Sequence, residues 1–183
     1  TGLWWFTFIC AAMLYLLTCQ RGVSWQDSGM FQWRVVNSDL TGDLGLALAH
    51  PLYIAAGKLF VWLPWGDVPM QLNFLGGMGM AVALANLAAV LFLLTEKRWI
   101  GFIIAAIFAL THTAWWLSTI AEVYTLSLAG LSTELWLLIL LLRNPRWYLL
   151  AGLAFVSGLG LAIHNLALLP LPVYGGVAIL LIR

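Results

Sequence analysis

The sequence predicts an all-α integral membrane protein. It reads as a single transmembrane domain over residues 1–183, a polytopic bundle of about six spans with an external loop after the first. Two observations carry this. Hydrophobic residues make up 63% of the chain and charged residues 8%, against about 25% charge in a soluble domain. Apolar runs of near-spanning length recur along the chain, separated by short polar turns. A third observation bears on function. Threaded through a bilayer, the chain brings Asp27, His50, His112, Glu122 and His164 to one membrane face. Ionisable groups are costly near hydrocarbon, so such a cluster marks a site.

Residues 3–19 form the first span, barely long enough at about 1.5 Å per residue. Residues 20–70 are mixed and hold four of the seven acids, Asp27, Asp39, Asp43 and Asp67. Residues 71–95 span again and are rich in small residues (Gly76, Gly77, Gly79, Ala81, Ala85), which let helices approach closely in lipid. Glu96-Lys97-Arg98 turns the chain into a span over 99–118. Residues 119–122 return it into 123–142, and Arg143-Asn144-Pro145-Arg146 turns it into 147–163. His164-Asn165 marks the last reversal, before 166–182 with Pro170 and Pro172 near its start. Cys10 and Cys19 are nine residues apart, so on one helix they face opposite ways and cannot pair. The chain begins at Thr1 and stops at Arg183 straight after an apolar run, the pattern expected of a piece of a longer protein. Residues 3–19 lack the basic flank and small-residue cleavage site of a secretory leader.

The basic turns at 96–98 and 143–146 are two spans apart, so they share a side, and Arg183 joins them. The positive-inside rule makes that side cytoplasmic and puts Glu122 and His164 on the other. Trp99, Trp115, Trp116 and Trp147 fall at span ends and read as interfacial anchors. Residues 44–63 admit two paths. A span there would improve the charge bias, by carrying Arg21 and Arg34 to the cytoplasmic side, but would part Asp27 from Glu122. A bent interfacial helix keeps His50, Pro51 and Lys58 out of the hydrocarbon, where charge costs at least about 2.5 kcal/mol at mid-depth.

Each polar residue has a plain reading beside a functional one. Ser24-x-x-Asp27 has the spacing of a capping box. Asp27 is also a carboxylate for general base work, and Arg34, seven residues on, shares its helix face as a cation for phosphate. Arg34 equally fits a snorkelling interfacial charge. His50 before Pro51 fits a helix terminus or a ligand-binding group. Glu122 caps the helix that starts near Val123 or lines the site. His164 sits at a reversal, His112 fits a bond to a backbone carbonyl, and Glu134 lies mid-span, where an acid needs a partner or a role. No pair has metal-site spacing, so no metal site is expected, although a divalent cation between Asp27 and Glu122 stays open. Gly76-Gly77 and Gly79 fall inside a span, not in a nucleotide loop. No basic stripe exists to grip nucleic acid.

The order Trp25-Gln26-Asp27-Ser28-Gly29, Ala49-His50-Pro51-Leu52-Tyr53, Thr111-His112-Thr113-Ala114-Trp115, Ala121-Glu122-Val123-Tyr124-Thr125-Leu126, then Gly158-Leu159-Gly160 before His164-Asn165, resembles the protein O-mannosyltransferase-like membrane family of the GT-C glycosyltransferase superfamily. The resemblance covers most of the chain. Two positions depart from the family pattern: Met30 stands where Glu commonly follows Asp-Ser-Gly, and a Pro-Gly-Tyr-Pro insert between His50-Pro51 and Leu52-Tyr53 is missing. The family's long first external loop carries interfacial helices, which places 44–63 in the interface and 20–70 outside.

The resemblance implies a glycosyltransferase that moves a sugar, mannose by family, from a polyprenyl-phosphate donor to a hydroxyl on protein or glycan. It implies Asp27 as base, with Arg34, His50, Glu122 and His164 as substrate-binding residues. No cofactor is implied, and the setting is a bacterial inner membrane with the site on its external face. Two other classes fit the residues. A transporter or flippase-like protein would use the same cluster to bind a lipid or small solute without chemistry, with Glu134 as coupling acid. A non-catalytic scaffold would tolerate Met30 and the shortened loop.

Overall fold

The computed structural model describes residues 2–43, 45 and 48–182. Among them there are helices and no strands. The helices are α1 (Gly2–Thr18), α2 (Gln26–Val36), α3 (Pro51–Phe60), α4 (Val68–Thr95), α5 (Arg98–Ala109), α6 (His112–Ser118), α7 (Val123–Arg143), α8 (Trp147–Ile163) and α9 (Leu171–Ile182), with a 3-10 turn at Asn165–Leu168.

Helix α4 is the axis of the bundle. It is apolar all round, as a helix enclosed by others must be. At 28 residues it is about 42 Å long. Asp67 starts it, its carboxylate accepting from the Met70 amide at 3.0 Å, with Pro69 in the first turn where no amide is needed. Helices α1, α5, α6 and α7 pack around it. Three glycines set how closely they come. A Cβ at Gly76 would lie 2.6 Å from the Ile120 carbonyl oxygen, one at Gly77 2.7 Å from the Tyr15 Cβ, and one at Gly79 2.8 Å from the Leu126 amide. The return at 119–122 and the first turn of α7 thus rest on bare backbone of α4.

Polar side chains cross-link the same helices. Asn86 of α4 accepts from the Trp4 indole of α1 at 2.7 Å and donates to Thr133 of α7 at 2.8 Å and to Ser132 at 3.2 Å. With its polar atoms paired, Asn86 is a safe residue at 2% exposure in an apolar core. Gln71 donates to the Leu63 carbonyl at 2.7 Å and to that of Trp65, holding the loop ahead of α4.

Six full-length spans are not what folds. Among the described residues, two helices, α4 and α7, are long and apolar enough to cross a bilayer, or three if α5 and α6 count as one bent span. Helices α1 and α8 and the segment 165–180 are apolar but no longer than 17 residues. Counting apolar residues misses the reasons. The expected span 99–118 breaks at Leu110–Thr111 and bends by 74°, with the Thr111 hydroxyl donating to the freed Phe108 carbonyl at 2.7 Å. The expected span 166–182 begins as a 3-10 turn and restarts as α9 with Pro172 in its first turn. Of the segment 44–63, residues 51–60 form a ten-residue helix, about 15 Å long and too short to cross. Its Lys58 ammonium reaches the Val36 carbonyl at 3.2 Å. Leu44, Leu46 and Ala47 of that segment, and Arg183, lie outside the described residues.

The bundle has two unlike ends. One carries Glu96, Lys97 and Arg98 and the turn 143–146, where the Arg143 guanidinium donates to the Leu93 carbonyl. The other gathers residues 19–24, α2, α3, 118–122 and 163–165, stitched together by the Gln20 amide donating to the Thr119 carbonyl at 2.9 Å.

The glycine contacts are testable. Gly76→Ala and Gly79→Ala should each destabilise the protein by about 1–3 kcal/mol, because the obstructing atoms are backbone. Gly130→Ala on α7, where a Cβ meets nothing within 4 Å, should be neutral or stabilising by up to about 1 kcal/mol. Thermal unfolding of the three variants in one detergent reads the difference; equal losses at all three would refute the close-approach account.

Candidate active site

The polar end of the bundle builds a cleft from three segments. Gln20, Ser24, Trp25, Gln26, Asp27 and Ser28 supply one wall, and Trp116, Ile120 and Glu122 the other, around a volume of about 260 Å³. Two residues explain how the first wall is held. Gln32 of α2 donates to the Asn73 side-chain oxygen at 2.8 Å, and Asn73 of α4 donates to the backbone carbonyls of Gln20 at 2.7 Å and Gly22 at 3.0 Å. Asn73 is fully buried, so this network fixes the loop 20–24 against the bundle. Nothing in the sequence singled out these two amides, since an isolated Asn or Gln in an apolar run has no pattern.

Asp27 lies in the first turn of α2 and is exposed to the cleft. The capping box expected at Ser24 does not form. Trp25 is the capping residue, without a side-chain bond, and the Ser24 amide donates instead to Gln32 Oε1 at 3.2 Å. Gly29 is needed because a Cβ there would sit 2.4 Å from the Ser24 carbonyl oxygen. Gln26 has φ +54°, a left-handed conformation that costs a residue with a Cβ about 1–2 kcal/mol. Strain of this kind collects where a chain must aim side chains.

Glu122 precedes α7 but does not cap it with its side chain. Its Oε1 accepts from the Ser28 hydroxyl at 2.8 Å, joining α2 to α7 beside Asp27. Burial pushes the Glu122 carboxyl above the usual range, the Ser28 bond partly offsets this, and the charge of Asp27 pushes it further up. The fully buried Tyr53 of α3 has no hydrogen-bond partner for its hydroxyl among the described residues; burial, then the Glu122 charge, raises its phenol. The structure therefore brings Asp27 and Glu122 into one cleft.

His50 and His164 form a second group. Their rings stack with centroids 5.3 Å apart and planes within 18°. Phe31 of α2 sets its edge to His50 at 5.5 Å and packs against Tyr53 at 5.1 Å, while Tyr124 of α7 lies 5.4 Å from His164. The two imidazoles carry opposite tautomers. His50 Nδ1 lies 2.6 Å from the Ile163 carbonyl, which only accepts, so Nδ1 holds the proton. His164 Nδ1 accepts from the Leu166 amide at 3.1 Å, so its proton is on Nε2. Burial, and then His50, hold the His164 pKa below its ordinary value. His50 itself sits at φ +50° ahead of Pro51.

Arg34 is not at the rim of the cleft. It is 3% exposed and donates to the Ala49 carbonyl at 2.6 Å and the Asp39 carbonyl at 3.1 Å, with Asp39 Oδ2 3.4 Å from its Nε. Its bonds fix the backbone just ahead of His50. They border a separate hollow with Met30, Trp33 and Asp43. The acidic partner is itself organised, since the Gly42 amide and Arg34 hold the Asp39 carboxyl below the usual range. His112 is exposed at the start of α6, outside the cleft wall. Glu134, fully buried on α7, has a partner the sequence did not reveal: the Tyr174 hydroxyl of α9 donates to its Oε2 at 2.7 Å. Among the described residues no group of three or more His, Cys, Asp or Glu side chains is placed to hold a metal ion.

Among known families, the one described as protein O-mannosyl-transferase TMEM260 N-terminal domain matches residues 45–181. The match takes in His50, Glu122 and His164, and begins after Asp27 and Arg34. Comparison with curated proteins and with solved structures gives no match. The matched segment is most of the chain and runs from the loop ahead of α3 to α9, so the chain belongs to the protein O-mannosyl-transferase TMEM260 N-terminal domain family.

Proposed function

We propose that this domain carries the reacting end of a membrane glycosyltransferase, which moves mannose from a polyprenyl-phosphate donor to a hydroxyl of a protein or glycan on the non-cytoplasmic face. The observation that carries the reading is the meeting of Asp27 with Glu122 in one cleft at the polar end of an apolar bundle. A lipid-borne donor needs an apolar body beside a polar cleft, and family membership supports the transfer of a sugar.

In this mechanism Asp27 takes the proton of the acceptor hydroxyl. The acceptor oxygen bonds to the anomeric carbon as the bond from that carbon to the phosphate oxygen breaks, and the electron pair leaves with the polyprenyl phosphate. General base help of this kind contributes about 10²–10⁴-fold. Glu122, fixed by Ser28 and with its proton affinity raised by burial, positions a sugar hydroxyl. His50 and His164, stacked on each other, are not among the residues that line this cleft, and we assign them to the donor beside it. Arg34 assists by pinning the Ala49 carbonyl and so the orientation of His50.

Three outcomes test this reading. Asp27→Asn should lower transfer by about 100-fold or more with helix content unchanged, and Glu122→Gln should cost less. The assay is transfer from a polyprenyl-phosphate mannose donor by the full-length protein in liposomes. Transfer undiminished in the Asn variant ends the catalytic assignment, and solute flux without transfer by the parent favours the transport reading.

The raised Glu122 pKa makes a pH prediction. A carboxyl with a folded pKa above its unfolded value gives stability that is full below the unfolded pKa and lost as pH rises through the folded one. Melting temperatures of parent and Glu122→Gln should therefore diverge upward from the ordinary glutamate range, the parent falling behind. A gap constant with pH contradicts a buried, ionising Glu122.

Single cysteines at Ser38 and Lys97, in a background lacking Cys10 and Cys19, should be labelled by an impermeant reagent from opposite faces, Ser38 from outside. Both positions are exposed, at the polar and basic ends respectively. Labelling of both from one face would contradict the topology.

A further inference from the structure

Tryptophan is expected at the ends of membrane helices, and Trp115 behaves that way: its indole donates to the Thr18 hydroxyl at 3.1 Å, at the side of the bundle. Trp25 and Trp116 differ. Both line the cleft that holds Asp27 and Glu122, one on each wall. They are 91% and 58% exposed, and Trp25 directly precedes the left-handed Gln26. Between them the cleft presents the amides of Gln20 and Gln26 and the hydroxyl of Ser24.

We propose that Trp25 and Trp116 form an aromatic clamp for the pyranose ring that the cleft transfers, with Gln20, Gln26 and Ser24 meeting its hydroxyls. The assignment rests on the glycosyltransfer reading of the same cleft. The chemistry of a pyranose fits these two kinds of group. One face of the ring is a sheet of C–H bonds, slightly positive, and an indole face is negative. The ring's edge is all hydroxyls, which amide and hydroxyl side chains match as donors and acceptors. A volume of about 260 Å³ has room for one sugar ring. A lipid tail would require a dry, apolar groove, whereas this wall mixes indoles with amides and two carboxylates.

A rigid wall makes the clamp effective. Asn73 and Gln32 hold loop 20–24 on α4, and Gly76 lets the 118–122 return lie against the same helix. The backbone that carries each indole is thereby fixed, so only the side chains need ordering when the sugar arrives.

The test is binding of methyl α-D-mannopyranoside to the full-length protein in lipid nanodiscs, followed by saturation-transfer NMR. Ligand protons on the C–H face should receive the strongest transfer. Trp25→Ala and Trp116→Ala should each weaken binding by about tenfold, Trp25→Phe by less, and Trp115→Ala not at all. Trp25 is so exposed that its removal costs little packing, and equal melting temperatures confirm that each variant is folded. A polyprenyl monophosphate without sugar serves as the second probe and should be indifferent to both indoles. Sugar binding unchanged in both alanine variants, no saturable binding by the parent, or equal dependence of the sugar-free lipid on Trp25 would overturn the clamp. So would strong quenching of Trp25 fluorescence by brominated acyl chains, which marks a membrane anchor. Trp-dependent sugar binding without any transfer leaves the clamp standing and removes the transferase reading. Parental transfer rates in both alanine variants do the reverse.

Discussion

The site depends on how closely the backbone of α4 is approached. Gly76 and Gly79 remove the side chains that would hold the 118–126 segment away, and Gly77 does the same for α1 at Tyr15. In a bilayer no hydrophobic force draws helices together, because lipid tails are as apolar as the helices themselves. Close packing and hydrogen bonds must do it. The glycines supply the packing, and Asn86 and Asn73 supply bonds at two levels of the same helix. The carboxylate of Glu122 reaches Ser28 only because the return that carries it lies on bare backbone.

How much of this is legible in the sequence follows from the kind of signal each feature leaves. Apolar runs show as composition, so α4 and α7 are readable from residues alone, and the small-residue stripe announces a packed face. Helix breaks are fainter. Thr111 ends α5 with no proline or glycine to mark it, so one expected span proves to be two helices at 74°. The company of Asp27 with Glu122 follows from threading the chain through a bilayer, but the bond to Ser28 does not, since residues 94 positions apart share no pattern. Arg34 shows the limit of helix-face reasoning. Spacing alone puts it on a face with Asp27, yet Asp39, Gly42 and the Ala49 carbonyl close around it while Asp27 stays open. Asn73, Gln32 and Tyr174 were invisible, because single polar residues in apolar helices acquire meaning only from what lies opposite.

Met30 follows the Asp27-Ser28-Gly29 stretch, where the resemblance read from the sequence leads one to expect a second acid. In this fold another acid is nevertheless present beside Asp27, delivered by a different segment. Glu122 comes from the α6–α7 return, and its pKa is raised partly by the Asp27 charge. Of the two carboxylates in one cleft, Asp27 is open and Glu122 buried, and a difference of environment of this kind is the basis for dividing acid and base roles. The cleft therefore holds paired acids although Met30 is not one of them.

The stacked imidazoles have a consequence for what they recognise. With Nδ1 of each ring committed to backbone, the pair in its neutral form offers one lone pair and one N–H, the complement of an alcohol, which both gives and accepts. The fold itself fixes that choice, because turning either ring over would break its bond to the backbone at Ile163 or at Leu166. The patch therefore selects by the direction of its hydrogen bonds, with Phe31 and Tyr124 closing its flanks.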